Sequence, residues 1–233
     1  MLSILMPVFN EERTLAAAVE RILDVDYPCE IELIVVDDGS RDGTASVLGG
    51  IRDPRVNALR HPRQRGMGAA VRTAAEAATG VHVIRCDAGL TYPPEEIPRL
   101  LRPLLAGEAE VVFGSRTFGP HLSYSFWYAM ANKSVTTACN MLYNAYLSDL
   151  ETSFKLMPLK LFRELELRES GVGMEAEVTG KLLRRGIRPY EVPINYRASD
   201  PQDGRSIGWR DGVEALWILG LTRISRPTHV AAR

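Results

Sequence analysis

With 233 residues, 45% of them hydrophobic and 24% charged, the chain is close to an ordinary globular domain and can bury one sizeable core. Its formal net charge of −1 gives no overall field that selects nucleic acid as a partner. The three cysteines, Cys29, Cys86 and Cys139, are odd in number and far apart, which argues against a disulfide framework or a zinc cluster and for a reducing compartment.

The charge is unevenly spread. From Lys181 onward ten Lys/Arg face five Asp/Glu, whereas the first 180 residues hold eighteen against twenty-four. A basic C-terminal end suits an anionic ligand or an anionic membrane surface, and equally a solvated face. "MLSILMPVFNEERTL" has a short apolar run with no basic residue before it, so it reads as a strand and not as a signal peptide. No run approaches the roughly 18 to 20 apolar residues needed to cross a bilayer, so a soluble or peripheral protein is expected.

In chain order, "LSILMPVF" predicts a strand, and Asn10 is placed to cap a helix carrying Glu11 and Glu12 in its first turn. "IELIVVDD" predicts a second buried strand, and "GSRDGT" turns it into a helix reaching about Arg52. Val56 to Arg60 suits a short third strand. "GMGAAVRTAAEAATG" reads as an alanine-rich helix closed by Gly80, "VHVIRCD" as a strand, "PPEEIPRLLRPLL" as a helix and "AEVVFGS" as a strand. This alternation predicts βαβ units and a mostly parallel sheet, whose ligands sit outside the carboxyl ends of the strands. Those ends are Pro7 to Asn10, Asp37 and Asp38, Asp87, and Ser115 and Arg116.

The second half differs. "SYSFWYAMANKSVTTACNMLYNAYLSD" predicts one long helix or a broken pair rich in aromatics. "TSFKLMP" predicts a strand, "MEAEVTGKLLRRG" a helix, "IRPYEVPINYR" a strand and "WRDGVEALWILG" a last amphipathic helix. With no repeat or low-complexity linker, residues 1–233 read as one domain: a first half over 1–116 and a second half over 117–233.

Several side chains stand where chemistry is expected. Of Asp37 and Asp38, one suits a helix cap and the other a base or ribose. Asp87 is a candidate for a phosphate-bound metal, since Mg²⁺ takes only one or two protein carboxylates and fills its shell with water and phosphate. Gly66 and Gly68 open a helix behind Arg60, Arg63 and Arg65, an arrangement that lets backbone N–H groups approach an anion. Arg116 and Arg197 end strands and suit forked phosphate binding. No nucleophilic triad is apparent among the four histidines.

Together "MPVFNEERTL", "IVVDDGSRDGT", "RGMGAAVRTAAEAATG", "CDAGLTYPPEEIPRLL", "VVFGSR", "DLETSFKLMP", "GMEAEVTGKLLRRG" and "EVPINYR" resemble, in family order, the family-2 glycosyltransferases of GT-A fold. The likeness is strongest to the dolichol- and polyprenyl-phosphate sugar synthase branch. It implies an α/β, Rossmann-like, mostly parallel sheet flanked by helices, with a nucleotide-sugar-binding half and a C-terminal helical, acceptor-side extension. It implies an inverting transfer of a hexose from a GDP- or UDP-sugar to polyprenyl phosphate at the cytoplasmic membrane face. The implied cofactor is Mg²⁺ or Mn²⁺, the implied attachment peripheral, and a homodimer is an implied assembly.

By the same resemblance Pro7, Phe9, Glu11, Asp37, Asp38 and Gly66 line the nucleotide-sugar, and Asp87 meets its diphosphate and the metal. Arg116 and Arg197 bind phosphate, Glu151 and Lys155 lie on the acceptor side, and Glu175 faces the sugar. Asp87, Arg116, Glu175 and Arg197 form the implied catalytic set. The pattern departs from the family where Gly89 replaces the second acid of Asp-x-Asp, where Thr91 stands at a position often Gln, and where Gln64 or Arg65 replaces an Asn. Two alternatives stay open: a soluble transferase with a small phosphorylated acceptor, and a non-catalytic sugar-nucleotide binder.

Overall fold

The computed structural model describes residues 1–119, 126–171, 173–196 and 209–225, with the backbone alone at 126–128 and 209–210. Its centre is a seven-stranded sheet of β1 (Leu2–Val8), β2 (Ile31–Asp37), β3 (Val56–Arg60), β4 (His82–Arg85), β5 (Val112–Ser115), β6 (Lys155–Pro158) and β7 (Tyr190–Pro193). The strand order is β3-β2-β1-β4-β6-β5-β7. All neighbours are parallel except β6, which runs antiparallel to both β4 and β5. The carboxyl ends of β1, β2, β4 and β5 therefore share one rim, and the reversed β6 brings its first residue, Lys155, to that same rim.

Side chains of β1 alternate between two cores. Leu2, Ile4, Met6 and Val8 pack on one face with α1 (Leu15–Leu23) and α4 (Ile97–Leu105). Leu5 lies on the other face with Ile34, Val36 and the alanines of α3 (Met67–Ala77). Leu2, Ile4 and Met6 have no exposed area, and each such side chain contributes about 1.5–3 kcal/mol of burial. Small side chains on α3 let the helix lie close to the sheet. The second face is completed by α6 (Leu159–Glu164) and α7 (Met174–Arg184). A third cluster joins α5 (Phe126–Tyr143), α7 and α8 (Trp209–Ile224) through Val135, Cys139, Tyr143, Ala215 and Leu219.

Three expectations are corrected. The first helix begins at Leu15, not after Asn10, because Asn10 adopts a left-handed φ of 55° that short polar side chains tolerate. Helix α2 spans Thr44–Gly50 and stops short of Arg52. Helix α5 is unbroken over its 18 residues and ends at Tyr143, so the stretch to Asp149 is a loop.

Of the aromatics in the second half, Tyr143 is a core residue whose hydroxyl donates to the Leu219 carbonyl at 2.9 Å. Tyr146 and Trp217 are exposed. Tyr124 lies outside the described residues, as do the side chains of Phe126, Trp127, Tyr128 and Trp209. Among the described residues no helix is long and apolar enough to cross a membrane.

Candidate active site

The loops after β1 and β2 are tied to each other. Asn10 N–H donates to Ser40 Oγ, Glu11 N–H to Thr44 Oγ1 and Glu12 N–H to Asp42 Oδ2. In return Asn10 Oδ1 accepts from Arg41 N–H and Glu12 Oε2 from Gly43 N–H. This reciprocal lacing forms a floor at the rim, on which Pro7, Phe9 and Glu11 are half-buried. Asp37 is fully buried; its Oδ1 accepts from Ser40 N–H at 2.9 Å and its Oδ2 lies 3.1 Å from Arg60 Nε.

Asp38 organises the next loop. Its Oδ1 accepts from His61 Nδ1 at 2.6 Å and Arg65 N–H at 2.9 Å, and its Oδ2 accepts from Gly66 N–H at 2.8 Å. A proton on His61 Nδ1 also lets Nε2 accept from Thr73 Oγ1 at 2.9 Å. Gly68 N–H donates to the Ser170 carbonyl. The amides of Arg65, Gly66 and Gly68, expected to meet an anion, are thus satisfied by protein acceptors. The glycines serve a different close approach: at Gly66, with φ of 97°, a Cβ would lie 2.3 Å from the Ser170 carbonyl oxygen. The 168–170 loop pressed there is held by Glu177, whose carboxylate accepts from Arg168 and Glu169 N–H.

The carboxylate expected at the diphosphate, Asp87, follows β4 and keeps a quarter of its side chain exposed. The residue that organises it is Arg85, which sequence reasoning missed. The guanidinium reaches Asp87 Oδ2 at 3.3 Å, Glu175 Oε1 at 2.8 Å, Met67 Sδ at 3.0 Å and Ser153 Oγ. Burial opposes its charge, but Asp87 and Glu175 hold its pKa above the ordinary arginine value. Glu175, at the start of α7, takes a second cation: Lys155 Nζ lies 2.5 Å from its Oε2 and 2.9 Å from its carbonyl. Asp87, Glu175 and Lys155, far apart in sequence, are therefore one buried network with Arg85 as its hub.

Glu151 faces that network. Its Oε1 is buried with no hydrogen-bond partner among the described residues. Burial, opposed by Lys155 and reinforced by Glu175, pushes its pKa up to about 7. Beyond it lies a second buried pair that was also missed. Arg116, at the end of β5, donates through Nε and Nη2 to the two oxygens of Asp149 at 2.7 Å each, and its N–H adds a third bond at 3.0 Å. Burial alone would raise the Asp149 pKa; the Arg116 charge outweighs it and holds the carboxyl below its ordinary value. Ser148 and Asp149 N–H are anchored on Glu191.

Arg116 borders a cavity of about 450 Å³ between α5 and the 146–148 loop, lined also by Phe118, Asn132, Lys133, Tyr146 and Leu147. Arg197 lies outside the described residues.

A divalent ion was implied at Asp87. Among the described residues no group of three or more acidic, His or Cys side chains converges to hold one. Asp87 nevertheless has an exposed edge, and one carboxylate completed by phosphate oxygens and water is sufficient for Mg²⁺. The residues fit an ion that arrives with a diphosphate.

The chain matches the family described as Glycosyl transferase family 2 over residues 3–166. It belongs to that family. Among relatives, the polyprenol monophosphomannose synthase of Mycolicibacterium smegmatis is 26% identical over 205 residues, covering 83% of this chain and 76% of its own. The undecaprenyl-phosphate mannosyltransferase of Micrococcus luteus is 26% identical over 230 residues, covering 94% and 91%. The low-salt glycan biosynthesis hexosyltransferase Agl6 of Haloferax volcanii is 27% identical over 219 residues, and the chain spans only 51% of its length. Among solved structures, glucosyl-3-phosphoglycerate synthase from Mycobacterium tuberculosis in complex with Mn²⁺, UDP and glucosyl-3-phosphoglycerate superposes with a TM-score of 0.70 at 21% identity, covering 97% of this chain and 81% of that one. The sheet is thus the GT-A fold of this family.

Proposed function

We propose that this chain transfers a hexose from a GDP- or UDP-sugar to a polyprenyl phosphate at the cytoplasmic face of a membrane, with inversion at the anomeric carbon. The observation that carries the reading is the cavity beside Arg116. It combines the cation of Lys133 with apolar surface from Phe118 and Leu147, which suits an anionic head joined to a hydrocarbon tail. It also adjoins the rim where a nucleotide-sugar of this family would lie. The two polyprenyl-phosphate mannosyl transferases among its relatives support the same acceptor.

In this reaction a phosphate oxygen of the acceptor attacks the anomeric carbon. A new C–O bond forms as the bond to the nucleoside diphosphate breaks, and the electron pair leaves with the diphosphate. The nucleophile is already an anion, so no strong base is required, in keeping with the missing nucleophilic triad. Asp87 would hold a Mg²⁺ or Mn²⁺ ion, which would supply charge stabilisation to the departing diphosphate. Pro7, Phe9 and Glu11 would bear on the base and ribose. Asp37 and Asp38 act in this reading by fixing the loops around that site. Glu175, clamped by Arg85 and Lys155, would face the sugar; Arg197 would meet phosphate, and Arg116, whose fork is held by Asp149, would border the acceptor cavity.

Labelled GDP- and UDP-hexoses, incubated with vesicles carrying polyprenyl phosphate or with aqueous phosphoglycerate, test the reading. Label moving into the lipid phase supports it. Label moving only to the aqueous acceptor would replace it with a soluble transferase.

A further inference from the structure

The network beneath Asp87 contains its own counter-charge. In a site built on Asp-x-Asp, two carboxylates face the donor's diphosphate, and a cation must sit between like charges. Here Gly89 removes one carboxylate, and the other is backed by a guanidinium. Arg85 cannot swing aside: besides Asp87 Oδ2 at 3.3 Å it is held by Glu175 Oε1, Met67 Sδ and Ser153 Oγ, and its side chain is only 11% exposed. Nor is its charge consumed by Glu175, because Lys155 already sits 2.5 Å from the other oxygen of that carboxylate. Two cations, Arg85 and Lys155, balance two anions, Asp87 and Glu175, with Glu151 the remaining acid facing the group. Asp87 is the more exposed partner and Arg85 the more buried one, so an approaching diphosphate meets a carboxylate neutralised from behind.

We infer that Arg85 is a positioning residue that neutralises Asp87, so that the donor's diphosphate binds this chain without a divalent cation. The inference rests on the nucleotide-sugar reading above and adds to it a distinction between binding and turnover. A divalent ion remains useful for the leaving group during transfer but is not needed to hold the donor. In Arg85→Met the naked carboxylate would repel the diphosphate, and donor binding would become dependent on the metal.

Calorimetric titration of GDP and UDP into the full chain, in EDTA and in Mn²⁺, tests this. For the wild type, affinity for the preferred nucleotide should agree within about threefold in the two conditions, whereas Arg85→Met should bind about tenfold or more weakly in EDTA and regain affinity in Mn²⁺. Arg85→Met/Asp87→Asn should recover the EDTA affinity, a rescue that a merely structural role for Arg85 would not give. The wild-type comparison between EDTA and Mn²⁺ serves alone if Arg85→Met does not fold. A wild-type affinity that falls about tenfold or more on chelation, or an Arg85→Met/Asp87→Asn affinity in EDTA that stays as weak as that of Arg85→Met, overturns the inference while leaving the transferase reading intact. Failure of both nucleotides to bind in either condition overturns the two together.

Discussion

Replacing Asp149 with alanine removes both acceptors of the Arg116 fork and leaves a guanidinium that is 7% exposed beside an empty carboxylate position. Two side-chain hydrogen bonds of 2.7 Å and one backbone bond of 3.0 Å are lost together. Breaking a buried pair by deleting one partner costs about 3–5 kcal/mol, because the remaining charge loses the carboxylate that offset its burial. For a domain of this size each kcal/mol lowers Tm by about 2–4 °C, so a drop of roughly 6–20 °C is expected. Thermal and urea unfolding followed by circular dichroism would measure it. Arg116→Met/Asp149→Leu should cost less than Asp149→Ala alone, since the double variant buries no charge at this position. The stabilising effect of the pair should also depend on pH with a definite sign. The folded carboxyl ionises more readily than its ordinary value of 3.8, so its contribution is present above that pH and is lost as pH falls through the folded value. A cost for Asp149→Ala below about 1 kcal/mol, the worth of an exposed pair, would refute the reasoning.

Other outcomes follow from the same geometry. Glu151 has its folded pKa raised from 4.5 to about 7, so its contribution is largest below pH 4.5 and is lost as pH rises through 7. Urea unfolding of Glu151→Gln at pH 8 should therefore show a gain on the order of 3 kcal/mol over the wild type, shrinking toward pH 5. Gly66→Ala, strained at φ 97° and driven into the Ser170 carbonyl, should cost about 3 kcal/mol in the same assay. Gly49→Ala, on α2 with open space around the added methyl, should be neutral or stabilising by up to about 1 kcal/mol. Asp87→Ala should abolish turnover with and without added Mn²⁺ while the far-UV circular dichroism spectrum stays unchanged.

Much of the architecture was legible because it is written locally. Apolar runs ending in acids mark β2 and β4, and alternating strand and helix signals imply the shared rim where Asp37, Asp38, Asp87 and Arg116 stand. The direction of β6 was not legible, since "FKLM" reads the same in a parallel or an antiparallel pair, yet that reversal brings Lys155 to Glu175. Asp149 was passed over because its partner lies 33 residues away, and no spacing rule links them. Arg85 left a signal that could have been used: a long cation in the last, otherwise apolar turn of a strand two residues before Asp87. The Gly-rich start of α3 misled because small residues permit either an anion or a neighbouring carbonyl, and here the 170 carbonyl takes the space. Asn10 misled because the residue that favours helix caps also favours left-handed backbone.

In the proposed reaction the rim at Asp87 and the cavity at Arg116 hold the two substrates of one transfer. The most direct test is the purified chain incubated with labelled GDP- and UDP-hexoses and vesicles carrying polyprenyl phosphate. Label in the lipid phase, stoichiometric release of one nucleoside diphosphate, and loss of both in Asp87→Ala are expected. Donor binding with no transfer to lipid or to aqueous phosphorylated acceptors would contradict it and leave a sugar-nucleotide binder in its place.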